Sequence, residues 1–331
     1  MILSKTPYRV SFFGGGTDYP AWYEREGGAV LSTSIDKYCY ISCRVLPPFF
    51  EARHRVVWSH IELVDSIGEI LHPAIRAGMR FLGFDDSVGL EIHHQGDLPA
   101  RAGIGSSAAF AVGLIKALLA LRGESIDRHD LALKAIELEQ KVLSEHVGSQ
   151  DQLASAYGGF NLIEFQPDGH ISVQPVKADR ERLALLESSL LLIYTGTSRL
   201  ASEVAQSFVA GLESRASELR AMRRMVDDAL SIINGSGDLD ELGRLLHEAW
   251  GLKRSLSPIV SNEVIDGIYK RALEHGAVGG KLLGAGSSGF MIFYVPEERR
   301  AELERALGAY VQVPFRFEDR GSHLLRDEPS L

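Results

Sequence analysis

The sequence of 331 residues is 45% apolar and 24% charged, which is the composition of an ordinary water-soluble globular protein. A net charge of −9 argues against nucleic acid as the main partner, and no apolar run reaches the length of a membrane span or marks a signal peptide. The only cysteines, Cys39 and Cys43, offer neither a disulfide framework nor a zinc cluster. We therefore expect a cytoplasmic protein that binds neither nucleic acid nor a membrane.

Strand patterns dominate the beginning of the chain and helical patterns its later part. β-rich runs predict strands at 8–15, 29–35, 37–46, 160–165, 190–196 and 290–295. Helical periodicity predicts helices at 106–121 and 128–146 and a largely helical region from about 198 to 275. This order predicts an α+β protein with two domains, 1–180 and 181–331.

The glycine-rich stretch "RAGIGSSA", residues 101–108, matches the G-x-G-x-x-A pattern of dinucleotide-binding loops. The preceding segment, 95–99, is a turn rather than the strand that a dinucleotide fold requires, and a second match at 284–289 leads into a strand. The nearest P-loop-like stretch, 276–282, lacks the required spacing and the Ser or Thr. What remains is a helix N-terminus with backbone N–H groups that could hold an anion, or simply a serine-capped glycine turn before a core helix.

Two carboxylates stand where burial is expected. On a helix over 128–146, Glu139 points into an apolar arc, whereas Glu137 belongs to the solvated face. A buried carboxylate needs a cation, which is either a structural salt-bridge partner or Mg²⁺ on substrate phosphates. Asp151 follows at a predicted helix start, where an acid either complements the helix dipole or joins Glu139 in one site.

Three ordered motifs and this aspartate resemble the GHMP kinase superfamily of galactokinase, homoserine kinase and mevalonate kinase. The motifs are "TPYRVSFFGGGTDYP", "LPARAGIGSSAAF" and "KLLGAGSSGF", and "GSQDQ" is similar to the G-I-M-D-Q of galactokinases. The resemblance spans nearly the whole chain. It implies the two-domain GHMP kinase fold, with a ribosomal-protein-like α+β N-terminal domain and a ferredoxin-like α+β C-terminal domain.

The resemblance also implies roles for individual residues. ATP phosphates would be bound by Arg101, Ala102, Gly103, Ile104, Gly105, Ser106, Ser107 and Ala108, and Mg²⁺ by Ser107 and Glu139. Asp151 would act on the acceptor hydroxyl, as a general base or mainly through its charge, with Arg9 stabilising charge beside it. Candidate acceptor contacts are Gly15, Gly16, Thr17, Asp18, Thr195, Arg199, Gly286 and Ser287. A purely structural role for the loop arginine Arg199 is an alternative.

One departure from the galactokinase pattern bears on the substrate. Gly15 and Gly16 stand where galactokinases have Glu-His, which leaves more room and less negative charge. The form F-x-G-G-G-T-D-Y resembles the branch with heptose 7-phosphate kinases, and fucokinase domains are its neighbours. It implies a Mg²⁺- and ATP-dependent kinase that phosphorylates the anomeric hydroxyl of a manno-configured heptose 7-phosphate, towards nucleotide-activated heptose for surface polysaccharide.

Other interpretations stay open at this point. They are a fucokinase-like or other sugar 1-kinase, a catalytically inactive regulator with this fold and, more distantly, a small oxidoreductase. The presence of Arg9, Asp18, Ser107, Glu139 and Asp151 disfavours an inactive protein. The sequence leaves the oligomeric state open, a homodimer being one alternative.

Overall fold

The computed structural model describes residues 1–196 and 213–325, which form two β-sheets covered by ten α-helices. The larger sheet has eight strands, which are β1 (Ile2–Phe13), β2 (Gly28–Val45), β3 (His54–Val57), β4 (Ile61–Val64), β5 (Leu90–Gly96), β6 (Phe160–Phe165), β7 (Ile171–Pro175) and, at the end of the described chain, β12 (His323–Leu324). Its main order is β12-β1-β2-β5-β3-β4, and β6 joins β2 to β7.

The long strand β2 organises this sheet. It pairs with β1 along most of its length, with β6 at residues 28–33 and with β5 at residues 39–45. The strands predicted at 29–35 and 37–46 are therefore one strand. Its register against β1 shifts where Pro7 faces Tyr38 and Tyr8 faces Ile35, so the two patterns are separated by a bulge rather than by a turn.

Six helices belong to this first part of the chain. They are α1 (Pro20–Glu26), α2 (Pro73–Phe81), α3 (Ser106–Leu121), α4 (Arg128–Glu137), α5 (Gln150–Tyr157) and α6 (Arg180–Ser188). The central one is α3, which packs against β1 and β2 and buries eleven of its sixteen residues. A helix that is apolar on nearly every side belongs in a core, and α3 therefore fixes the position of the glycine-rich loop at its start.

The helix predicted over 128–146 is shorter than expected. The α-geometry ends at Glu137 and continues as a single π-helical turn, Leu138–Val142, in which the Leu143 N–H donates to the Leu138 carbonyl. A regular α-helix would put both Val142 and Leu143 in the apolar arc, but beyond this wider turn Val142 is exposed and Leu143 packs against the core. Glu139 remains on the buried side, as the helical pattern predicts.

The smaller sheet has the order β11-β8-β10-β9 and is entirely antiparallel. Its strands are β8 (Leu190–Tyr194), β9 (Gly279–Leu282), β10 (Phe290–Tyr294) and β11 (Val311–Val313), and its helices are α7 (Ala216–Asn234), α8 (Asp240–Leu256), α9 (Glu263–Glu274) and α10 (Glu297–Ala306). The predicted α+β class is confirmed. The division at 180/181 stays a prediction, and β12, which lies beyond it, pairs with β1.

Among the described residues, every helix falls short of the length or the apolar character that crossing a bilayer requires.

Candidate active site

An ion pair between the first strand and α5 forms the centre of the site. The guanidinium of Arg9 donates from Nε to Oδ1 of Asp151 (2.7 Å) and from Nη2 to Oδ2 (2.6 Å). Its third nitrogen, Nη1, donates to the carbonyl of Gly103 at 2.7 Å. Arg9 is nearly buried, whereas a quarter of the Asp151 side chain is exposed. One arginine therefore connects the carboxylate to the glycine-rich loop and leaves the carboxylate accessible.

The glycine-rich loop presents unpaired backbone donors at the start of α3. Gly105 is the left-handed N-cap residue, and Ser106 Oγ accepts from the N–H of Arg101 at 3.0 Å, which closes the loop. The backbone N–H groups of residues 103–107 have no acceptor among the described residues. Free N–H groups at the positive end of a helix dipole form an anion site, so this loop fits the phosphates of ATP.

The third motif packs directly on this loop. A Cβ on Gly103 would lie 2.5 Å from the Leu283 carbonyl, so the two backbones are in contact, and the N–H of Phe290 donates to the carbonyl of Ala102. Within the third motif, the N–H of Ser287 donates to the carbonyl of Val260, and Ser287 is 7% exposed. Gly286 also lies against Val260. The predicted acceptor contacts Gly286 and Ser287 thus belong to the segment that supports the phosphate loop.

A buried carboxylate lies beside the start of α3. Glu139 is 2% exposed, and its Oε2 accepts from Nε2 of Gln152 at 2.6 Å. Burial raises the pKa of Glu139 to about 8, and hydrogen bonds from Gln152 and Ser107 counteract the rise. Among the described residues, no group of three or more His, Cys, Asp or Glu side chains could hold a metal. A carboxylate and a hydroxyl beside a phosphate loop suit Mg²⁺, which takes few protein ligands and shares substrate phosphates.

Asp18 lies next to Asp151 and is almost completely buried. Its carboxylate accepts from the N–H of Gly16 (2.9 Å) and from Nε2 of Gln150 (2.9 Å). Burial, together with the negative charge of Asp151, raises the pKa of Asp18. The hydroxyl of the predicted contact Thr17 donates to the Gly14 and Ala29 carbonyls, so its role is to hold the loop closed.

The other predicted acceptor contacts are less central. Thr195 is buried, and its hydroxyl exchanges hydrogen bonds with the backbone of Gly289. Arg199 lies outside the described residues.

Two buried lysines that no motif predicted as catalytic lie behind the phosphate loop. Lys253 on α8 donates to the carbonyls of Leu282 (2.8 Å) and Gly284 (2.5 Å), and Lys281 on β9 donates to the carbonyl of Phe12 (2.8 Å). Burial lowers the pKa of Lys281 to about 7 and that of Lys253 far below its usual range, helped by the neighbouring cations. Neither forms an ion pair among the described residues, although the charge of Asp18 partly offsets the drop in the pKa of Lys281.

The sequence alone could have indicated that Lys253 is buried. It falls in the apolar stripe of α8 formed by Leu242, Leu246, Ala249 and Leu256, where a lysine is unexpected.

An aromatic cluster packs around Phe110 on α3. The ring of His72 stacks on Phe110 at 4.8 Å, and the rings of His94 and Trp58 meet this pair edge-on. Burial lowers the pKa of His72 to about 4, and the charge of Arg101 contributes in the same direction. The cluster is therefore a neutral aromatic surface.

The comparisons with known proteins agree with this geometry. The model for the GHMP kinases N terminal domain matches residues 69–159, and the model for the GHMP kinases C terminal region matches residues 220–312, together more than half of the chain. D-glycero-alpha-D-manno-heptose 7-phosphate kinase of Campylobacter jejuni is 29% identical over 97% of both chains.

Two further relatives extend the comparison. The crystal structure of a D-glycero-D-manno-heptose 1-phosphate kinase from Bacteriodes thetaiotaomicron has a TM-score of 0.80 at 25% identity, covering 98% of this chain and 99% of that one. The bifunctional fucokinase/GDP-fucose pyrophosphorylase of Arabidopsis thaliana is 27% identical over 92% of this chain and 31% of its own length.

Proposed function

The chain belongs to the GHMP kinases and is an ATP-dependent sugar kinase, and we propose that its acceptor is D-glycero-D-manno-heptose 7-phosphate, phosphorylated on the anomeric hydroxyl. The observation that carries this proposal is the Arg9–Asp151 pair, because it holds an accessible carboxylate beside the start of α3. The acceptor is supported by similarity to the Campylobacter jejuni heptose 7-phosphate kinase over 97% of both chains. The product would serve the synthesis of nucleotide-activated heptose.

Each group of residues in the site has a separate role in the proposed reaction. The N–H groups of the loop and the dipole of α3 bind the ATP phosphates, and Lys253 holds the backbone of the segment that packs on the loop. Ser107 and Glu139 would hold Mg²⁺, which supplies charge neutralisation of the triphosphate.

Phosphoryl transfer then needs one proton acceptor. The anomeric oxygen forms a bond to the γ-phosphorus while the bond from that phosphorus to the β,γ-bridging oxygen breaks, which releases ADP. Asp151 takes the hydroxyl proton, and Arg9 holds the carboxylate in place and stabilises the developing charge. Because both oxygens of Asp151 accept from Arg9, the guanidinium fixes the orientation of the carboxylate.

A fucokinase-like activity is the second candidate, since the Arabidopsis thaliana enzyme matches over 92% of this chain. The purified protein should be assayed with ATP and heptose 7-phosphate, free heptose, L-fucose and galactose. We expect the 7-phosphate to be preferred by more than tenfold in kcat/KM, because specific binding of the sugar's phosphate group contributes more than about 1.4 kcal/mol. Preference for an unphosphorylated sugar would contradict the heptose 7-phosphate assignment but not the kinase activity. The position of the new phosphate follows from NMR of the product.

A further inference from the structure

Two buried side chains beside Gly15 each keep one polar atom unpaired. Ser11 is 6% exposed and Gln150 is 8% exposed. Ser11 Oγ and Gln150 Oε1 have no hydrogen-bond partner among the described residues. Leaving a buried polar group unpaired is unfavourable for the folded state. Groups of this kind in a functional cleft indicate a missing partner rather than a contribution to stability.

The orientation of the Gln150 amide follows from its neighbour. Its Nε2 donates to Oδ2 of Asp18 at 2.9 Å. The amide nitrogen therefore faces Asp18, and Oε1 is directed away from it as a free acceptor. Since Asp18 adjoins Asp151, this acceptor lies in the neighbourhood of the reacting hydroxyl.

Gly15 leaves space next to these two atoms. A Cβ at Gly15 would have ordinary contacts only, with Nε2 of Gln150 at 3.7 Å and Oγ of Ser11 at 3.8 Å, and its backbone is not left-handed. Gly14 is different, because it has φ +81° and its Cβ would lie 1.9 Å from the Ala29 carbonyl. The backbone thus requires glycine at position 14 and would accept a side chain at position 15. The vacant position is bordered by polar atoms.

We propose that Ser11 and Gln150 bind hydroxyl groups of the acceptor sugar in the space beside Gly15. This inference rests on the proposed function, in that it needs a polyhydroxylated acceptor. Gln150 Oε1 accepts from one hydroxyl, and Ser11 Oγ donates to or accepts from another. Both residues are thereby specificity-determining contacts, and the absence of a side chain at position 15 is what admits the sugar.

The test uses Ser11→Ala and Gly15→Ala, each assayed with the sugar that the wild type phosphorylates fastest. We expect Ser11→Ala to raise the acceptor KM about fivefold to tenfold, the size of one lost hydrogen bond, with the ATP KM unchanged. Gly15→Ala should also raise the acceptor KM, because its methyl group fills the space that the sugar needs. Ser11→Ala should keep or slightly raise Tm, because it removes an unpaired buried hydroxyl. Ser155→Ala is the matched control, since Ser155 is another buried serine with an unpaired hydroxyl and does not border Gly15.

Monodeoxy analogues of that sugar distinguish a direct contact between Ser11 and a sugar hydroxyl from an indirect effect of the substitution on the structure. If Ser11 touches a substrate hydroxyl, one analogue should lose the difference between wild type and Ser11→Ala. An unchanged acceptor KM in both variants, a lowered Tm of Ser11→Ala with unchanged KM, or an equal effect on every analogue would overturn the inference. A preferred sugar other than heptose 7-phosphate would contradict only the proposed acceptor, because the variants are compared on the sugar actually used.

Discussion

Arg9 makes all of its side-chain contacts with two elements of the site. Five N–H donors in a fixed fork let one guanidinium bind both oxygens of Asp151 and the carbonyl of Gly103 together. A lysine could not hold this geometry, since its ammonium is a point charge on a flexible stem. The position of the carboxylate relative to the phosphate loop is therefore determined by a single residue.

Replacing Asp151 by Asn should lower kcat by about 10²-fold or more, the usual scale for loss of a general base. An amide cannot take the acceptor proton, and it cannot accept two charge-assisted hydrogen bonds from Arg9. ATP binding should be largely kept, because the loop donors and the start of α3 are unchanged. Steady-state kinetics and nucleotide titration of the variant check both expectations. Near-normal turnover would show that Asp151 is not the proton acceptor.

Lys253 supports the phosphate loop through the backbone of the third motif. In Lys253→Met, the carbonyls of Leu282 and Gly284 lose their buried donor, and Gly284 packs on Gly103. We expect the ATP KM to rise about tenfold, which corresponds to about 1.4 kcal/mol. Lys270→Met is the control, since that lysine is exposed on α9. Equal ATP KM values for both variants would rule out this role.

At the scale of elements, the π-helical turn after α4 positions the buried carboxylate. A π-turn inserts about one extra residue per turn, and such turns are frequent at functional sites. Here it follows the part of the helix that carries Glu137 and brings Glu139 to Gln152 on α5. Glu137 and Glu139 are two residues apart, and only Glu139 is buried.

Glu137 and Glu139 provide a matched test of the proposed metal site. Glu139→Gln should raise the Mg²⁺ concentration needed for half-maximal activity, because it removes the anionic ligand, whereas Glu137→Gln should be nearly silent. Activity measured against Mg²⁺ at saturating ATP gives both values. If the two variants responded equally, the burial of Glu139 would be unrelated to metal binding.

The sequence predicted some elements closely and could not predict others, for physical reasons. The strand at 160–165 and the helix at 106–121 agree with β6 and α3, because their apolar patterns and flanking turns are unambiguous. The π-turn was missed, since a uniform 100° periodicity assumes an unbroken α-helix. The motifs predicted that Arg9, Asp151 and Gly103 belong to one active site. They could not identify Ser11, Gln150 or Lys253, whose surroundings follow from burial and pairing across distant segments.

At the scale of the whole molecule, the site lies where the two sheets meet. Backbone contact between Gly103 and residues 283–284, and the hydrogen bond from Phe290 to Ala102, connect α3 to the smaller sheet. Several titratable groups are buried around this junction, namely Glu139, Asp18, Lys253 and Lys281. Folding therefore buries acidic and basic groups in a low-dielectric region before substrate arrives, so the stability of the ligand-free protein depends on which of them are protonated.

The pKa of Glu139 determines the direction in which its contribution to stability changes with pH. Its pKa is about 8 in the folded chain against a usual value of 4.5, so between these values the folded state holds a proton that the unfolded state has lost. The contribution of Glu139 is thus fully present below pH 4.5 and is lost as pH rises towards 8, by about 1.4 kcal/mol per pH unit. Because Gln mimics the protonated acid, Glu139→Gln should match the wild type near pH 4.5 and exceed it at pH 8. Urea unfolding without Mg²⁺ or nucleotide, run on both proteins across this range, gives the difference in free energy of unfolding, and the subtraction cancels the opposing contribution of the lysines. A difference that stayed constant with pH would show that Glu139 is not held protonated in the folded protein.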